Sequence, residues 1–237
     1  MINNAHSLKQ AIALQAVEES VTYTDSKLGG QPYCKLGDNF PVHSSGTPYM
    51  FLAQLNFSQL PFLEDYPQQG LLQFFVLADE DYGVCEDGYY CRYYADFEPS
   101  HDIEPFSDEE MEYELCEPII FGGPYAFKAS LREELVPYTD PRSVHYDLPM
   151  ENSAYSKYFD QTDGSGTKIG GYAFMDKNSF DEKNNGKAEL LFQLDMEGDA
   201  QKTYAMIADS GTLQFFIERD NLIAKDFSKL YYYLYSL

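Results

Sequence analysis

The chain has 237 residues and a formal charge of −23, from 39 acidic against 16 basic side chains. That length suits one large domain or two small ones, and 17 Phe with 21 Tyr supply ample core and lean toward strands. The charge excludes nucleic acid and anionic membranes as partners, since both demand a basic face, and no apolar run is long enough for a transmembrane helix.

Residues 3–19 read as an N-terminal helix. Asn3 or Asn4 can cap it, and Leu8, Ile12 and Ala16 recur every four residues. Met1–Ser20 lacks a basic segment followed by an apolar core, so no secretory signal is expected and a cytoplasmic setting is. From Val21 the texture changes to short apolar runs broken by Gly, Pro, Asn and Asp. Residues 71–76 (Leu-Leu-Gln-Phe-Phe-Val), 190–194 and 213–217 read as strands covered on both faces, because their apolar runs are continuous rather than alternating. Asn184-Asn185-Gly186 marks a turn. Ser107 to Met111, residues 127–136 (Phe127, Leu131, Leu135) and residues 151–159 read as short helices, and Leu230 to Tyr235 as a final strand.

Three blocks occur twice, in one order and at nearly constant spacing. Lys27-Leu28-Gly29-Gly30 returns as Lys168-Ile169-Gly170-Gly171. Leu52-Ala53-Gln54-Leu55 returns as Leu191-Phe192-Gln193-Leu194, and Gly70-Leu71-Leu72-Gln73-Phe74-Phe75 as Gly211-Thr212-Leu213-Gln214-Phe215-Phe216. One half alone could hardly bury two aromatic strands, so the copies, about 21–95 and 165–237, are expected to share a core. The fold expected is a single α+β domain over residues 1–237. It holds duplicated, largely antiparallel β-rich units, the N-terminal helix, and an acidic, helical connection over 96–164.

These blocks resemble the YwqG-like family of bacterial proteins of unknown function. The resemblance rests on Ser26-Lys27-Leu28-Gly29-Gly30-x-Pro32, Phe51 to Leu55, Gly70-x-Leu72-Gln73-Phe74-Phe75, Lys168 to Gly171, and Asp209-Ser210-Gly211 before Phe215-Phe216-Ile217. Ala208 stands where the family pattern often has Gly, and Trp is absent. The resemblance implies a compact α+β fold with duplicated sheets and no known reaction.

Candidate chemistry is sparse. Asp209-Ser210-Gly211 suggests a hydrolase nucleophile, but its base would have to be His6, His43, His101 or His145, and none lies in a recognisable motif. Cys34, Cys85, Cys91 and Cys116 lack zinc spacing and read as free thiols; a Cys85–Cys91 disulfide would need an oxidising compartment. Asp79-Glu80-Asp81 and Asp181 to Glu189 fail the calcium-loop pattern at Gly83 and Lys183. No metal, cofactor or catalytic residue is assigned.

Two binding surfaces remain. Residues 79–117 hold 15 acidic side chains against one base, Arg92. Flanked by tyrosines, this stretch suits a basic protein partner, as an inhibitor or immunity-type protein would use, through Asp102, Glu104, Asp108, Glu109, Glu110, Glu112 and Glu114. Alternatively, Lys27, Gly29, Gly30 and Gln54, with Lys168, Gly170, Gly171 and Gln193, line a cleft between the copies. Ammonium groups and free backbone N–H groups would hold a small anion there.

Overall fold

The computed structural model describes residues 8–97, 106–107, 111, 119–140, 142–143, 162, 164–175 and 188–236. The strands are β1 (Leu8–Val17), β2 (Lys27–Leu28), β3 (Tyr49–Asn56), β4 (Leu71–Leu77), β5 (Tyr89–Tyr94) and β6 (Tyr125–Leu135). They continue with β7 (Lys168–Gly170), β8 (Ala188–Leu194), β9 (Glu197–Gly198), β10 (Thr203–Ala205), β11 (Thr212–Glu218) and β12 (Leu230–Tyr235). Among the described residues, helix is confined to a 3-10 turn at Phe57–Gln59 and α1, Arg219–Ala224.

The architecture is therefore almost wholly antiparallel sheet, not α+β. Residues 8–17 of the expected N-terminal helix form β1, and residues 127–135 of the helix expected at 127–136 lie in β6. The reason is arithmetic. A four-residue apolar recurrence is one turn of helix, but it is also two full repeats of a strand. Ile12, Leu14 and Ala16 are all buried, and this every-second-residue pattern belongs to a strand. Of the other expected helices, 151–159 lies outside the described residues, as does the turn at 184–186. Ser107 and Met111 are described, and the Met111 N–H donates to the Ser107 carbonyl. The strands expected at 71–76, 190–194, 213–217 and 230–235 are present as β4, β8, β11 and β12.

Ten strands form one sheet in the order β12-β11-β8-β7-β1-β6-β2-β3-β4-β5; β9 and β10 form a separate hairpin. Read outward from the central β1–β6 pair, the two wings carry the repeated blocks in the same order: β2, β3, β4, β5 on one side and β7, β8, β11, β12 on the other. The first strand of each copy crosses into the opposite wing. β1, which precedes copy one, pairs with β7 of copy two; β6, which precedes copy two, pairs with β2 of copy one.

The wings match in detail. Leu52 is bulged out of the β3–β4 register between Phe51 and Ala53, and Leu191 is bulged out of β8–β11 at the corresponding place. Such bulges increase local twist and help a sheet curl. The edge strands β5 and β12 come together through side chains: Tyr89 Oη donates to the Leu230 carbonyl, Tyr232 Oη donates to the Tyr82 carbonyl at 2.6 Å, and the Tyr89 and Tyr232 rings lie 5.5 Å apart. The result is a near-closed barrel.

Its interior is one cluster drawn from both copies, including Leu28, Leu52 and Phe74 with Ile169, Leu191 and Phe192. Phe74 stacks on Phe192 at 4.5 Å and lies 5.0 Å from Phe215. The neighbouring Phe75 and Phe216 point to the other face, into separate outer clusters. Covering on both faces accounts for the continuous apolar runs in these strands. No helix among the described residues is long and apolar enough to cross a membrane.

Candidate functional site

Each copy carries the same polar assembly at its Lys-hydrophobic-Gly-Gly strand. In copy one, Gln54 and Gln73 face each other across β3 and β4. Gln54 Nε2 donates to the carbonyls of Tyr23 (2.8 Å) and Asp25 (2.9 Å). Its Oε1 accepts from the Tyr33 N–H (2.8 Å) and from Gln73 Nε2 (2.9 Å). In copy two, Gln193 Nε2 donates to the carbonyls of Gly164 (3.1 Å) and Gly166 (2.9 Å), and Oε1 accepts from the Phe174 N–H (2.9 Å) and Gln214 Nε2 (3.1 Å). Both amides are wholly buried. A buried amide must find partners for both donors and its oxygen, and here every capacity is used on loop backbone and the partner Gln. These clamps fix the loops leading into and out of β2 and β7.

The Gly pairs follow from close approach. Gly30 sits at φ +73, and a Cβ there would come within 2.6 Å of Pro124. Gly171 sits at φ +68, and a Cβ there would meet Ala11 at 2.8 Å. A side chain is excluded at both positions by backbone conformation and by space.

The lysines are where the copies diverge. Lys168 is fully buried, and its Nζ lies 2.9 and 3.1 Å from the two carboxylate oxygens of Glu134. Glu134 also accepts from the Tyr172 N–H at 2.9 Å and from Arg132 Nε at 2.8 Å. Lys27, 2% exposed, has no carboxylate within ion-pair distance among the described residues. Its Nζ donates to the carbonyls of Thr22 (3.1 Å) and Tyr23 (3.3 Å) and lies 5.7 Å from the Tyr23 ring centre. Burial lowers its pKa to about 8, against a smaller opposing pull from Asp25.

Lys27 lines an open cavity of about 460 Å³ with Val21, Tyr23, Gly30, Gln31, Met111 and Pro124. A second cavity of about 170 Å³ shares Gly30 and Met111 and adds Phe40, Phe51 and Ile120. The walls are mainly apolar. Gln31 Nε2 donates to the Phe106 carbonyl at 3.0 Å, while its Oε1 is buried with no hydrogen-bond partner.

The structure thus separates the residues that the sequence suggested would meet in one cleft. Lys27, Gly29, Gly30 and Gln54 lie in one wing; Lys168, Gly170, Gly171 and Gln193 lie in the other. β1 and β6 stand between β7 and β2, three strand spacings or about 14 Å. Only the copy-one set adjoins the larger cavity. Glu134 and Gln31, which distinguish the two lysines, lie outside the repeated motifs and were not singled out by sequence reasoning.

Asp102, Glu104, Asp108, Glu109, Glu110, Glu112 and Glu114 lie outside the described residues. Ser210 is in an exposed turn, and no histidine is hydrogen-bonded to it among the described residues. His43, the one histidine described, pairs its Nδ1 with Ser45 Oγ at 2.8 Å. Among the described residues no three His, Cys, Asp or Glu side chains gather to hold a metal, and Cys34, Cys85 and Cys91 are free thiols.

A search of curated proteins finds no match to this chain. A family model described as a domain of unknown function, DUF1963, matches residues 26–235, from the serine before the first Lys-Leu-Gly-Gly to the end of β12, and the chain belongs to that family.

Proposed function

We propose that this protein is a small-ligand-binding module whose site is the copy-one cavity beside Lys27, taking an anionic ligand with an apolar body. Within its family, the motifs quoted above ally it with the YwqG-like proteins, a likeness that supplies no reaction. One observation carries the reading. Two duplicated lysines are buried, one is matched by a carboxylate of the chain, and the other opens on a mainly apolar cavity without one. A buried ammonium left with only two carbonyls has unspent attraction for an anion, and an apolar wall gives the rest of the ligand a surface to cover. The free thiols of Cys34, Cys85 and Cys91 support a reducing, cytoplasmic setting for it.

The test is a thermal-shift screen of the purified protein with small organic and inorganic anions, repeated on Lys27→Met. A ligand at one hundred times its Kd stabilises the native state by about 2.7 kcal/mol, which raises Tm by about 5–10 °C in a chain of this size. No shift with any anion, or shifts that survive Lys27→Met unchanged, would refute the reading.

A further inference from the structure

The duplication allows the ligand's charged group to be read from the chain itself. Besides Arg132 of its own strand, the Glu134 carboxylate in copy two has about it Lys168 Nζ, the Tyr172 N–H, Gly171 and Ala11. Their counterparts in copy one are Lys27, Gln31, Gly30 and Pro124. The correspondence is set by register and packing. Lys27 pairs with Gln54 as Lys168 pairs with Gln193, and Gly30 abuts Pro124 as Gly171 abuts Ala11. All four counterparts line the larger cavity.

By register the residue equivalent to Glu134 is Val21, four past Val17 as Glu134 is four past Ser130, and it brings no carboxylate. β6 continues to Leu135, and Glu134 lies in this last stretch. β1 ends at Val17, and by Thr22–Asp25 the chain has turned into the loop clamped by Gln54. Of the groups that take Glu134 in copy two, copy one leaves a backbone N–H unspent, while Lys27 Nζ has two carbonyls and no carboxylate among the described residues. The Gln31 N–H, equivalent to the Tyr172 N–H that donates to Glu134, makes no hydrogen bond among the described residues. Gln31 Oε1 is buried and unpartnered among the described residues, but as an acceptor it calls for a donor on the ligand and not for its carboxylate. An unmatched buried polar group is costly, and several converging on one cavity mark a place where a ligand's polar end belongs.

We infer that the ligand is a small organic carboxylate, its carboxylate lying where Glu134 lies in the other copy. Lys27 Nζ and the Gln31 N–H hold that carboxylate, and the apolar body lies along Val21, Met111 and Pro124. This rests on the binding reading proposed above and narrows it. A phosphate or sulfate carries more charge and more oxygens than this two-donor arrangement matches. A neutral amide of the same shape brings no charge for Lys27.

The experiment titrates hexanoate and 3-phenylpropionate against the full chain, with hexanamide, inorganic phosphate and sulfate alongside, reading Tm and binding heat. Lys27→Met and Val21→Phe are run in parallel. The second fills the cavity without touching the lysine, and circular dichroism confirms that each variant keeps its strand content. The expected result is a saturable rise in Tm with both carboxylates and none with hexanamide. Affinity falls at least tenfold in each variant. Response to phosphate or sulfate but not to the carboxylates, abolished by Lys27→Met, overturns the carboxylate assignment and leaves the anion site standing. Response to no anion, or response indifferent to both variants, overturns both.

Discussion

Replacing Glu134 with alanine tests whether the two lysines differ as the structure says. Lys168 is fully buried, and Glu134 takes two hydrogen bonds from its ammonium and one from the Tyr172 N–H. Removing one partner of a buried ion pair costs about 3–5 kcal/mol, because the charge left behind keeps its desolvation cost. The Glu134 side chain retains 11% exposure, which admits some water and places the expected loss near the lower end, at about 3 kcal/mol. At about 2–4 °C per kcal/mol, Tm should fall by about 6–12 °C. Replacing both partners, Glu134→Leu with Lys168→Met, should recover most of the loss, since an apolar pair of similar volume avoids the unpaired charge.

Lys27→Met should behave otherwise. Holding the Lys27 pKa at about 8 rather than 10.5 corresponds to about 3 kcal/mol against the charged form in the native state. Two carbonyl hydrogen bonds to the ammonium offset it by about 1.5–3 kcal/mol each. The loss on going to methionine at neutral pH is therefore between about 0 and 3 kcal/mol. The sign with pH is definite. Between about 8 and 10.5 the unfolded chain holds a proton on Lys27 that the native chain does not, so wild type gains on the variant as pH rises through that window. Urea denaturation at pH 7 and 10 and scanning calorimetry supply these numbers. If Glu134→Ala costs under about 1 kcal/mol, or the double variant is no better than the single, the buried pair is not what the geometry implies.

Three further outcomes follow from the fold. Glu197 is buried and accepts from the Ala16 N–H at 2.9 Å; burial raises its pKa, so its stabilising contribution is full below the unfolded value and is lost as pH climbs through the native one. Glu197→Gln should accordingly gain on wild type between pH 4.5 and 7.5 in urea titrations. Gln54→Leu removes the acceptor of the Tyr33 N–H and a donor to the carbonyls of Tyr23 and Asp25, and should lower stability by about 3 kcal/mol at unchanged m value, with Gln193→Leu giving a similar loss. Tyr89→Phe and Tyr232→Phe each remove one hydrogen bond between the sheet edges; each should cost about 1 kcal/mol and speed amide exchange in β5 and β12 while leaving β1 and β6 unchanged.

How much of this was legible in the sequence depends on whether a residue's role is repeated. The paired glutamines, the Gly-Gly turns and the Phe-Phe strands recur because both copies need the same clamp, the same tight turn and the same two-faced strand. β1 and β6 escaped because their apolar positions can be read at helical spacing. Leu14, between Ile12 and Ala16, was the available signal for a strand. The α+β expectation fell with those two elements, since they are the central pair of the sheet. Glu134 could not be found from the repeats. It lies outside the repeated blocks, on a strand that does not pair with β7, and nothing in Arg132-Glu133-Glu134-Leu135 shows which residue it will face.

The crossing of β1 and β6 also bears on how the copies diverged. Each Lys-Gly-Gly strand is completed by a strand from the other copy: β7 leans on β1, and β2 on β6. The far end of β6 can still serve its own copy. Lengthening β6 past the point where β1 stops supplies a carboxylate to Lys168 of the second copy and leaves Lys27 of the first as it was. Filling one site this way adds no constraint on its twin, because the two lie in opposite wings with separate clamps. The scaffold needs the glutamines and glycines twice, and it keeps them twice. The ammonium at Lys27 is held by two loop carbonyls and no carboxylate among the described residues. If the proposed ligand site is real, the divergence of the two lysines is the mark it left: the one without a carboxylate is the one that faces the larger cavity.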